Sequence, residues 1–177
     1  ANEADHRAKV FTNLNFQGES TTDPELKFNH YFITDAKPDS KPNELTPGFY
    51  SFGNAEFSGD GESLIVTSNV DSLQHPDRSQ ESEIYMLNIK SGNLKKLLSQ
   101  KKTRYSSPSL SPKGIWLAYQ FAPTTGINIP ALALLRITKE GNQTVLIPFD
   151  RNKGNFKWSA DEQFLYLFVN GSPGMYR

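Results

Sequence analysis

Cysteine is absent from the 177-residue chain. Disulfides and thiolate metal sites are therefore excluded, and the redox compartment, periplasmic or cytoplasmic, stays open. Net charge is absent as well, since Lys plus Arg and Asp plus Glu each number 19. A general nucleic-acid or membrane-surface binder needs a basic excess, so neither partner is expected. No apolar run reaches the roughly 18 residues that a membrane-crossing helix requires. Histidine is scarce: His6, His30 and His75 show neither the helical pairing nor the carboxylate partners of a zinc site. No Gly-x-Ser-x-Gly elbow occurs, and the nearest string, Gly171-Ser172-Pro173-Gly174, has the spacing of a hairpin loop. Gly59-Asp60-Gly61 is followed by no helix start, so it is no phosphate loop. No catalytic residue, metal or cofactor is expected within the chain. The start, Ala1-Asn2-Glu3-Ala4-Asp5, lacks an initiator Met and a signal-peptide pattern, and Met175-Tyr176-Arg177 reads as the opening of a strand. The expectation is a piece of a longer polypeptide.

What is abundant points to strands. Aromatics make up 12%, with 11 Pro and 12 Gly, a composition suited to short strands joined by turns. One pattern recurs three times: a large apolar residue, Ser, a turn, and a hydrophobic strand. The copies are Phe57-Ser58-Gly59-Asp60-Gly61 leading into Leu64, Leu110-Ser111-Pro112-Lys113-Gly114 leading into Leu117, and Trp158-Ser159-Ala160-Asp161-Glu162 leading into Leu165. The anchors are separated by 53 residues (57 to 110) and then 48 (110 to 158). A repeat near that length built only from strands predicts an all-β fold, a partial β-propeller of four-stranded antiparallel blades.

About two complete and two incomplete blades are expected: 8–47 partial, 48–104 and 105–148 complete, and 149–177 partial. The expected strands are 8–14, Asn29–Asp35, an edge segment Lys41–Thr46, Ala55–Phe57, Ser63–Ser68, Glu83–Ile89, Leu94–Leu98, Ser107–Leu110, Gly114–Ala122, Ala131–Thr138, Gln143–Ile147, Gly154–Trp158 and Phe164–Val169. Leu94, Leu97 and Leu98 also have helical spacing, but the flanking turn and Pro/Ser-rich stretch leave too little length for a helix. Asp60-Gly61 and Lys113-Gly114 place Gly where a turn needs positive φ, whereas Asp161-Glu162 predicts a looser turn. Ser58, Ser111 and Ser159 are read as turn residues and not as nucleophiles. Lys95, Lys96, Lys101, Lys102 and Arg104 form a basic run that reads as a solvated loop and strand edge. Two sequons, at Asn142 and Asn170, are of the kind that arises by chance.

These units resemble the propeller of prolyl oligopeptidase family serine peptidases, in the bacterial dipeptidyl aminopeptidase and acylaminoacyl-peptidase branch, with its TolB-like repeats. The specific likeness is Phe149-Asp150-Arg151, Gly154-Asn155-Phe156-Lys157-Trp158-Ser159-Ala160-Asp161 and Leu165-Tyr166, closing with Met175-Tyr176-Arg177; Asn29-His30-Tyr31-Phe32-Ile33 and Glu44-Leu45-Thr46 add to it. Departures are Gly59 for the usual Pro, Lys113 for Asp and Glu162 for Gly. The resemblance implies a non-catalytic portion that gates short peptides for a hydrolase domain elsewhere in a serine exopeptidase. The other expectation is a non-enzymatic TolB-like propeller that binds protein. A third, a sugar-acting lyase propeller, needs clustered metal ligands that the sequence lacks. In related peptidases, propeller carboxylates hold the substrate's amino end, which makes Glu81 and Glu83, at the end of the long loop Asn69–Ser82, the candidate substrate-binding residues. Open blade edges predict self-association.

Overall fold

The computed structural model describes residues 27–70, 80–126, 129–138, 141–147, 151 and 153–169. The expected strand at 8–14, residues 71–79 of the long loop, His6 and His75, and the motif residues Phe149, Asp150 and Met175–Arg177 lie outside the described residues. Among the described residues there are twelve strands and no helix. They are β1 (Phe32–Ile33), β2 (Asn43–Glu44), β3 (Phe52–Phe57), β4 (Ser63–Ser68), β5 (Glu83–Asn88), β6 (Leu94–Leu98), β7 (Thr103–Leu110), β8 (Trp116–Pro123), β9 (Ala131–Thr138), β10 (Gly141–Ile147), β11 (Lys153–Trp158) and β12 (Leu165–Val169).

The strands form two four-stranded antiparallel sheets, β3-β4-β5-β6 and β7-β8-β9-β10, and two ribbons, β1-β2 and β11-β12. Each strand pairs with its sequence neighbour, so every sheet is a meander. The sheets pack face to face through the period-2 alternation of their strands. Ile65 and Ile84 on one face of the first sheet share a core with Tyr105, Leu110, Leu117, Tyr119, Ala133 and Leu135 of the second. On the opposite face, Phe52, Leu64, Val66, Tyr85 and Leu87 pack with Tyr31, Leu45 and Tyr50 around the β1-β2 ribbon. The far face of the second sheet meets β11, where Gln120 Nε2 donates to the Lys153 carbonyl at 2.5 Å. Each four-stranded sheet thus has a leading face, toward the preceding sheet, and a trailing face, toward the following one.

The first strands of successive sheets also touch one another. Leu110 N donates to Glu56 Oε2 at 3.2 Å, and Trp158 Nε1 donates to the Ser109 carbonyl at 3.1 Å. Sheets stacked face to face with their first strands gathered on one line are blades about an axis. The fold is all-β, a partial β-propeller.

The three corner turns repeat bond for bond. Ser58 N, Ser111 N and Ser159 N donate to the carbonyls of Ser63, Trp116 and Phe164 at 2.9, 2.7 and 2.9 Å. The same serines accept from Ser63 N, Trp116 N and Phe164 N through Oγ at 2.9, 3.0 and 3.0 Å. Asp60 Oδ1 caps the first turn, accepting from Ser58 Oγ at 2.6 Å and Glu62 N at 2.9 Å, and Asp161 Oδ1 does the same for Ser159 Oγ and Gln163 N. These bonds hold both carboxyls below the ordinary carboxylate range. The third turn is not looser. Glu162 takes the left-handed conformation, φ 62°, that Gly61 and Gly114 take at 70° and 72°. The strain of a non-glycine residue there, roughly 1 kcal/mol, is offset because Glu162 Oε1 accepts from Lys113 N at 2.6 Å and links the second turn to the third.

One contested expectation holds and several strand bounds change; β3, for example, begins at Phe52, three residues before the expected Ala55. Leu94–Leu98 is a strand, and its helical spacing has a cause: a bulge opposite Ile84 and Tyr85 lets both Leu97 and Leu98 reach the core. β7 begins at Thr103, four residues before the expected Ser107, because its polar first half pairs with the apolar end of β8. Asn29–Asp35 shrinks to Phe32–Ile33. Its aromatic and β-branched residues suit a strand, but its neighbours in the chain bond elsewhere: the Asn29 carbonyl accepts from Phe52 N at 2.8 Å and Tyr31 N donates to Thr46 Oγ1 at 2.7 Å.

Candidate functional site

The first strand of each blade carries a bulge at the same place. The ladder slips between Gly53 and Glu56, between Ser106 and Ser109, and between Gly154 and Lys157. The extra residues are Asn54-Ala55, Ser107-Pro108 and Asn155-Phe156. Ser107 and Asn155 adopt positive φ of 50° and 52°, a conformation most open to Gly and, among side-chain-bearing residues, to Asn. A bulge bends a strand and re-aims the side chains beside it. Three bulges on adjoining strands aim at one spot.

That spot is a cavity of about 280 Å³ lined by Ala55, Glu56, Ser107, Pro108, Ser109, Asn155 and Phe156. Every lining residue belongs to a bulge or follows it directly. Glu56 is the ionisable group among them. Ser109 Oγ donates to Glu56 Oε1 at 3.4 Å, and Leu110 N to Oε2 at 3.2 Å. Both bonds are long for a carboxylate, which leaves acceptor capacity facing the cavity. Burial pushes the Glu56 carboxyl above its ordinary value, against the pull of the Ser109 and Leu110 bonds. The repeat places Ser109 and Lys157 at the positions equivalent to Glu56, so one stretch of the axis is acidic, the next neutral, the next basic.

A group whose folded pKa is raised destabilises the folded chain when charged. Stability is lost as pH rises from the ordinary value through the raised one, and regained on acidification. Glu56→Gln keeps an oxygen for Leu110 N–H and removes the half-buried charge. The expected result is a higher urea midpoint than wild type at pH 7 and the same midpoint below about pH 4, the ordinary carboxylate range. A variant less stable than wild type at pH 7 overturns this account of Glu56.

Glu81 and Glu83 lie elsewhere, between the sheets near the β5 start. Glu81 Oε1 accepts from Lys102 N at 2.7 Å. Glu83 accepts from Lys96 Nζ at 2.8 Å and also from Ser99 Oγ and Tyr85 OH. Burial alone raises the Glu83 carboxyl, but those three bonds and the Lys96 charge bring it below its ordinary value. Neither carboxylate lines the inner-strand cavity. Of the basic run, Lys96 serves Glu83 and lies 5.7 Å from the centre of the Tyr85 ring, while Lys95, Lys101, Lys102 and Arg104 are exposed. Ser58, Ser111 and Ser159 are bonded into the corners as described, with Ser58 and Ser159 donating to the exposed Asp60 and Asp161 carboxylates of their own turns. His30 is half-buried with its ring 6.2 Å from Phe52, and its buried Nδ1 meets no partner among the described residues. Among the described residues no cluster of three potential metal ligands occurs.

Sequence reasoning passed over Glu56. The signal was present as a second repeat just upstream of the corner: Gly53-Asn54-Ala55-Glu56, Ser106-Ser107-Pro108-Ser109 and Gly154-Asn155-Phe156-Lys157.

No protein-family profile matches the chain, and no curated protein matches its sequence. Among solved structures the chain is similar to TolB from Acinetobacter baumannii, at 14% identity over 77% of this chain and with a TM-score of 0.39. It spans 42% of that structure's length.

Proposed function

We propose that the chain is a peptide-binding β-propeller module without catalytic machinery of its own, and that its inner-strand cavity takes the positively charged end of an extended peptide. The observation that carries this reading is the convergence of three bulges on one cavity whose single ionisable group is a half-desolvated carboxylate with acceptor capacity to spare. An ammonium group supplies the donors that Glu56 lacks, and Phe156 and Pro108 offer apolar surface to the adjoining side chain. The test uses the tripeptide Ala-Phe-Ala and its N-acetylated form in calorimetric titration. Binding of the free amine, at least tenfold weakened by acetylation and by Glu56→Gln, is expected. Equal binding of the two peptides, or none, overturns the reading.

A more specific reading rests on the Asp150-Arg151, Trp158-Ser159-Ala160-Asp161 and Leu165-Tyr166 succession. In it the module screens short peptides for a serine exopeptidase domain carried elsewhere in the polypeptide. That reading requires the isolated chain to be inert toward aminoacyl and dipeptidyl chromogenic substrates; turnover by the isolated chain sinks it.

A further inference from the structure

Phe156 differs from the residues that share its place in the repeat. As the later of the two bulge residues, the first blade has Ala55, the second Pro108 and the third Phe156, and all of them line the inner-strand cavity. The buried aromatics Phe52, Tyr85, Tyr105 and Tyr119 are used where sheets pack. Phe156 is not. It joins neither core cluster, and among the described residues its ring pairs with no other aromatic. The bulge is the reason. The ladder steps from Gly154 to Lys157, so Phe156 has no partner opposite it on β12 and is released from the sheet's own packing.

The cavity therefore has two unlike sides. Glu56 stands on β3 and Phe156 on β11, and β7, which bonds to both strands, brings Ser107, Pro108 and Ser109 between them. Acceptor capacity is at one side and an aromatic ring at the other. Pro108 is already buried and Ala55 offers a single methyl, so the half-buried ring of Phe156 is the large apolar surface left to a ligand. A ligand that satisfies both sides crosses in front of β7. The side chain of a peptide's first residue leaves the same Cα as the ammonium group and stays beside β3. The second residue begins about 3.3 Å further along an extended chain and carries its side chain toward β11.

Resting on the peptide-end reading above, we infer that Phe156 is the specificity-determining residue of this cavity, and that the ligand is a peptide with a free amino end and an aromatic second residue that packs on the Phe156 ring. Two rings in contact gain from buried apolar area and from the offset or edge-to-face geometry that aromatic pairs prefer. An alanine at the second position leaves the Phe156 ring facing water. An aromatic first residue is directed to the Glu56 side, where the neighbouring groups are Ser109 and a backbone N–H.

The test titrates the whole chain calorimetrically with Ala-Phe-Ala, Ala-Ala-Ala and Phe-Ala-Ala. Ala-Phe-Ala is expected to bind about tenfold more tightly than Ala-Ala-Ala, the ratio that burying much of a phenylalanine side chain yields, and more tightly than Phe-Ala-Ala. Phe156→Ala is expected to abolish that preference and Phe156→Tyr to keep it, while Glu56→Gln weakens all three peptides and leaves their order unchanged. The wild-type comparison requires no variant to fold. Equal affinity for Ala-Phe-Ala and Ala-Ala-Ala, a preference for Phe-Ala-Ala, or a preference that survives Phe156→Ala each overturns the inference. Where acetylation of the amino end still weakens binding in those cases, the peptide-end reading stands without it. Absence of binding by all three peptides overturns both.

Discussion

Gly59→Ala is expected to destabilise the chain by roughly 3 kcal/mol, at the upper end of ordinary overpacking. A Cβ at Gly59 falls 1.9 Å from the Pro112 carbonyl oxygen and 3.1 Å from its carbon. The obstacle is backbone in the next blade's corner, so no rotamer change relieves it. Either the two corners separate or the first turn distorts and loses its Ser58 and Asp60 bonds. Gly61→Ala is the control. Gly61 has φ of 70° with open space around its Cβ position, so that change costs only left-handed strain, about 1 kcal/mol. Urea midpoints should therefore fall about three times further for Gly59→Ala than for Gly61→Ala, with Gly59→Pro at least as severe. Equal shifts would show that conformational strain, and not the approach of the corners, keeps Gly at 59. The same contact explains why Gly59 stands where the second corner has Pro112: the corner of the next blade occupies the space.

Leu117→Ala is expected to cost about 2–5 kcal/mol, the range for emptying a closed apolar site. Leu117 is fully buried, and it joins Ile65, Ile84, Leu110 and Tyr119 where the first blade meets the second. That cost is a large share of the roughly 5–15 kcal/mol that holds a domain folded. Leu146→Ala, on an exposed side chain, should change stability by less than about 0.5 kcal/mol. Denaturation followed by tyrosine fluorescence suits the comparison, because Tyr105 and Tyr119 lie in the same cluster with ring centres 5.8 Å apart. If Leu117→Ala shifts the midpoint no more than Leu146→Ala, the blade junction is not the seat of stability.

The corners were legible in the sequence because a corner is a local object. Ser at its entry, an acidic residue two places on in the first and third corners, and an apolar strand after it are determined by bonds spanning five residues. The strands after the first two corners were equally clear, since β4 and β8 are buried on both faces and read as apolar runs. The inner strands were not. A bulge places two residues opposite one, which breaks the alternation by which a half-buried strand is recognised, and so β3 and β7 looked shorter than they are and Glu56 passed unnoticed. Asn29–Asp35 misled in the other direction: its residues favour a strand, but a strand also needs a neighbour along its whole length, and here the neighbour's bonds lie elsewhere. The carboxylates that drew attention, Glu81 and Glu83, stood out because they end a long polar loop. Which carboxylate is half-desolvated depends on what packs against it from 53 residues away, as Ser109 does against Glu56, and that distance is invisible to local reading.

The meander topology has a consequence for how the chain is made. Within each sheet every strand after the first pairs with the one just before it, so each blade closes its hydrogen-bond ladders using contacts that span only a few tens of residues, a short reach for an all-β protein. During synthesis a blade can form its ladders as soon as its fourth strand has emerged, before the following blade exists. Its trailing face, Ile65 and Ile84 in the first blade, then waits uncovered for the next corner to arrive. The most aggregation-prone interval in the life of this protein is therefore the delay between one corner and the next, and slowing elongation just after residue 98, where the first blade is complete and the second has not begun, should lower the soluble yield more than slowing it within a blade.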